Sequence, residues 1–87
     1  MRTNDVMLNF FDELAVQPEK QDMRYVLTLL LVRRRVFRLE EEERDAEGRE
    51  VLTVYCPRRE ATYAVPAVMP AQERIEQIQA ELAALLQ

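Results

Sequence analysis

A chain of 87 residues is long enough for one hydrophobic core and too short for two. Its 48% hydrophobic and 32% charged content excludes a disordered polyelectrolyte, and a formal charge of −4 argues against nonspecific attraction to polyanions. With no histidine, no serine and single cysteine, lysine and glycine residues, the chain cannot supply a histidine-based triad, a histidine or multi-cysteine metal site, or a glycine-rich phosphate loop.

The first periodic segment runs from about Asp5 to Ala15. Met7, Phe10, Phe11 and Leu14 recur at helical spacing, with Asn4 or Asp5 placed to cap. So wide an apolar face on so short a helix requires something to dock against. Gln17-Pro18-Glu19 reads as the next helix start, because proline at the first helical position gives up an amide that has no partner there anyway. That helix extends to about Arg35. Met23, Val26, Leu27, Leu30 and Leu31 form its stripe, and Tyr25, Leu29 and Val32 widen it, which predicts a central helix. Arg33, Arg34 and Arg35 fall in its last turn, where cations suit the helix dipole.

From Val36 the period changes to two. Phe37 and Leu39, then Leu52, Val54 and Cys56, then Ala61, Tyr63 and Val65 alternate with other residues, which predicts three strands. Asp45-Ala46-Glu47-Gly48 places the only glycine where a type I turn followed by a left-handed residue requires it. Setting Asp45 opposite Gly48 pairs Leu39 with Val54 and Phe37 with Cys56. The turn Pro57-Arg58-Arg59-Glu60 sets Cys56 opposite Ala61, Val54 opposite Tyr63 and Leu52 opposite Val65. Phe37, Leu39, Leu52, Val54, Cys56, Ala61, Tyr63 and Val65 then share one face. Arg38, Glu40, Glu42, Thr53 and Thr62 share the other with Val51 and Tyr55. After Pro66, Met69-Pro70-Ala71 opens a last helix whose Ala71, Ile75, Ile78, Leu82 and Leu85 form a seam, read here as packing within the chain in preference to a zipper. The expected fold is one α+β domain over 1–87 in the order α-α-β-β-β-α, with a three-stranded antiparallel meander.

No segment before Val6 resembles a signal-peptide core, and the longest apolar stretch, 26–32, is too short to span a bilayer, so a cytoplasmic protein without membrane association is expected. Cys56 reads as a buried thiol. Glu40, Glu41, Glu42 and Glu43 read as a solvated hairpin arm that discourages edge pairing. No catalytic residue, metal or cofactor is expected, and the chain reads as a protein-interaction or assembly module in the form of a homodimer. Its candidate interaction residues are Tyr55 and Val51 on the open sheet face, Ile75, Ile78, Leu82 and Leu85 on the last helix, and Phe10 and Phe11 on the first. The alternative is a small nucleic-acid-binding regulator using Arg33, Arg34, Arg35, Arg58 and Arg59.

Overall fold

The computed structural model describes residues 3–85. Helix α1 spans Thr3–Leu14, a single 3₁₀ turn covers Pro18–Lys20, and α2 spans Gln21–Arg33. Strands β1 (Arg38–Arg44), β2 (Glu50–Cys56) and β3 (Ala61–Pro66) form an antiparallel sheet in the order β1-β2-β3, and α3 (Gln72–Leu85) closes the described chain. This is the expected α-α-β-β-β-α arrangement. The helix starts differ in detail: α1 begins ahead of Asn4 and Asp5, and the proline at 18 opens the 3₁₀ turn that leads into α2.

One core draws on all three α-helices and on β2 and β3. Met7, Leu8, Phe11 and Leu14 of α1, Met23, Leu27 and Leu31 of α2, Val54, Cys56 and Val65 of the sheet, and Ile78 and Leu82 of α3 are buried in it together. The rings of Phe11 and Phe37 meet edge to face at 5.0 Å, and Tyr63 stands edge-on to Phe11 at 5.3 Å. Such close-packed aromatic contacts tie α1 to the sheet face, so the large apolar face of the first helix finds its cover inside its own chain.

The end of α2 aims the following chain inward. The amides of Val36 and Phe37 both donate to the Leu31 carbonyl, at 2.9 and 3.1 Å, and Arg35 takes the left-handed conformation with φ +63°. This reversal, commonly built on glycine, drops Val36 and Phe37 into the core. Phe37 therefore contributes to the interior from the connection ahead of β1 and not from the strand itself.

Strand register needs one correction. Gly48 (φ +81°) donates to the Asp45 carbonyl at 3.0 Å, and the Asp45 amide donates to the Arg49 carbonyl at 2.9 Å. The type I turn with its left-handed glycine is as expected, but this closure sets Asp45 opposite Arg49 and not Gly48, one residue out of the expected register. A bulge between Leu39 and Glu41 then inserts Glu40 as the extra residue and restores the expected partnership of Leu39 with Val54. Between turn and bulge the faces are exchanged. Glu42 lies opposite Leu52 on the helix-covered side, and Glu41 and Glu43 join Thr53 and Val51 on the open side. The Thr53 hydroxyl donates to Glu43 Oε1 at 3.1 Å there. The second hairpin has the expected register throughout, with Cys56 opposite Ala61, Val54 opposite Tyr63 and Leu52 opposite Val65.

Helical cover does not reach β1. Every residue of that strand is exposed, and Leu39, on the inner face opposite Val54, remains 43% accessible.

Candidate interaction surface

Helix α2 carries two apolar faces. Met23, Leu27 and Leu31 point into the core, Val26 and Leu30 pack half-buried at its margin, and Leu29 is 42% exposed beyond them. Periodicity of 3.6 residues cannot place so many apolar residues on one stripe. Helix α3 lies beside that second face without filling it. The two helices run in the same direction, since Arg74 in the first turn of α3 grips Asp22 in the first turn of α2 (Nε to Oδ2, 2.7 Å), whereas Arg33 and Ala83 flank the opposite end of the cleft between them. The result is a groove of about 350 Å³ walled by Val26, Leu29, Leu30, Ile75, Leu82 and Ala83 and closed at one end by Tyr25 and Met69. Met69 is 71% exposed at its rim.

The ion pair at the head of the groove is firmly made. Asp22 Oδ1 accepts the Met23 amide at 2.7 Å while Oδ2 holds Arg74, and Arg74 chiefly, with that amide, keeps the Asp22 carboxyl below the usual carboxylate range despite some desolvation. Arg74 also reaches Glu81 at 3.7 Å. At the other end Arg33 is exposed and makes no ion pair with any described residue.

The residues expected to form an interaction site fall on three separate surfaces. Phe11 and Ile78 are fully buried and build the interior of the chain, whereas Leu82, nearly buried, reaches the wall of the groove. Phe10 is half-buried against the core. Ile75 lines the groove, and Leu85 is exposed beyond it. Tyr55 and Val51 sit half-buried on the open sheet face, with the Arg38 guanidinium 4.8 Å from the centre of the Tyr55 ring, and Val51 shares a pocket with Tyr25 and Met69 at the closed end of the groove. Leu29, Val26, Leu30 and Met69 were not singled out for the surface. The signal that marks them is the excess breadth of the second apolar segment, which also makes its helix central.

The arginines do not converge. Arg58 binds Asp5 at 2.9 Å and Arg59 binds Asp12, which fastens the β2–β3 turn to α1, and the Tyr63 hydroxyl with Asp12 holds the Arg59 guanidinium above its ordinary value. Arg34 donates to Asn4 Oδ1 at 3.3 Å, Arg35 ends α2 in its left-handed position, and Arg33 stands apart on the groove. Arg24, only 8% exposed, lies over the Phe11 ring at 4.0 Å and donates to the Phe11 carbonyl; burial lowers its proton affinity. The four glutamates are split by the bulge, and among the described residues no three carboxylate or thiol groups gather as metal ligands. Cys56 is buried. Among the same residues no helix is long and apolar enough to cross a membrane.

No protein-family model, curated protein or solved structure matches the chain.

Proposed function

We propose that this chain is a protein-interaction module whose docking surface is the groove between α2 and α3. The observation that carries the reading is the second apolar face of α2: Val26, Leu29 and Leu30, with Ile75 and Met69 beside them, form a concave apolar strip along two rigid helices, the geometry that receives an amphipathic helix. A small domain gains little by leaving such a strip in water, because each exposed apolar side chain forgoes about 1.5–3 kcal/mol of burial.

Placing a photoreactive phenylalanine analogue at Leu29, in the cell that makes the protein, tests this. Covalent adducts from position 29 and none from a control at Thr62 on the open sheet face are the expected result. A folded protein that forms no adduct from position 29 or from Met69 overturns the reading.

A further inference from the structure

The occupant of this groove can be read from the order of charges along it. Four residues of α2 lie on its groove side at spacings of four, three and four: Asp22, Val26, Leu29 and Arg33. That is the step pattern of an interhelical seam. It is also self-complementary when reversed. A two-fold axis between Val26 and Leu29 sets Val26 of one copy against Leu29 of the other, and carries each Arg33 to the acidic head of its partner's groove, about 16 Å along the helix. A parallel arrangement would instead set Arg33 on Arg33. The head stays acidic even though Arg74 neutralises Asp22, because Glu73 and Glu76 occupy the first turns of α3 and neither makes an ion pair with a described residue. The tail carries Arg33, likewise without an ion-pair partner among the described residues. Both helix dipoles of each protomer have the same sense, so reversal opposes them favourably as well. Edge pairing through β1, another route to self-association, would stack Glu40 to Glu43 against their own copies.

The geometry points to a second copy of this chain as the occupant: two protomers pack α2 and α3 antiparallel across a two-fold axis, with Val26 and Leu29 at the centre and Arg33 of each against Glu76 of the other. This rests on the docking role of the groove and names its partner.

Sedimentation equilibrium at low salt over a range reaching about 100 µM decides it. The wild-type chain is expected to sediment as a dimer. Leu29→Asp should abolish self-association, whereas Arg33→Glu and Glu76→Arg, each folded by circular dichroism, should each weaken it by roughly tenfold or more through like charges at both seam ends. Mixing those two variants should restore a heterodimer, since each then supplies the charge the other lacks. A wild-type monomer at the top of the range overturns the proposal, as does a dimer indifferent to Leu29→Asp or a mixture that fails to recover. A monomer whose position 29 cross-links to a different protein removes the dimer and leaves the docking role standing.

Discussion

Replacing Phe11 with leucine tests the reasoning about the core most directly. The ring is fully buried, stands edge to face with Phe37 and Tyr63 at 5.0 and 5.3 Å, and carries the Arg24 guanidinium at 4.0 Å. Leucine keeps an apolar group there but ends all three ring contacts. Two aromatic pairs contribute about 0.5–1.5 kcal/mol each, and a desolvated cation over a ring about 2 kcal/mol. Because these terms overlap, the expected loss is about 3 kcal/mol, a large fraction of the stability of a domain of this size. Arg24 supplies the internal control. Its buried charge is tolerable because the ring and the Phe11 carbonyl receive it, so Arg24→Met should cost much less in the Phe11→Leu background than alone, with a coupling of about 1–2 kcal/mol. Urea unfolding followed by far-ultraviolet circular dichroism, at one fixed protein concentration, measures all four corners of the cycle. A loss below about 1 kcal/mol for Phe11→Leu, or strict additivity with Arg24→Met, would refute the picture of α1 held to the sheet through this ring.

Other outcomes follow from backbone and charge. Arg35→Gly should raise stability by about 0.5–1 kcal/mol, seen as a higher melting temperature, because the left-handed position at the end of α2 disfavours a side chain. Gly48→Ala should lower stability by about 1 kcal/mol in urea titration; the added methyl meets nothing within 4 Å, so the whole cost is the positive φ. Asp22 has a folded pKa below its unfolded value, so in acid the unfolded chain binds more protons and stability falls as pH drops from the unfolded value, about 3.9, through the lower folded one. Asp22→Asn should therefore be less stable at neutral pH and show a shallower acid limb in thermal melts taken across that window.

The extent to which the fold was legible depended on the kind of signal each segment carries. Cys56 opposite Ala61 followed from Pro57 and a four-residue connection, and the alternation of Leu52, Val54 and Cys56 confirmed the phase. The bulge at Glu40 had no such marker. Four identical glutamates have no alternation to mark a change of phase, and the expected Leu39–Val54 pair holds because the one-residue offset at the turn and the bulge cancel. Of the interaction residues, Ile75 and Leu82 reach the groove, but Phe11 and Ile78 are core positions whose helical spacing is the same whether the face meets its own sheet or another chain.

The sequence by itself determined element types, their order, the two turns and the inward set of the second hairpin, because these depend on local periodicity and on residues with special backbone preferences. Tertiary structure alone decided which apolar faces are covered. That α1 is satisfied within its own chain, that β1 lies beyond the helices, and that α2 keeps an apolar strip open along α3 depend on the angles at which helices cross the sheet, and those angles are set by side-chain packing between elements distant in the chain.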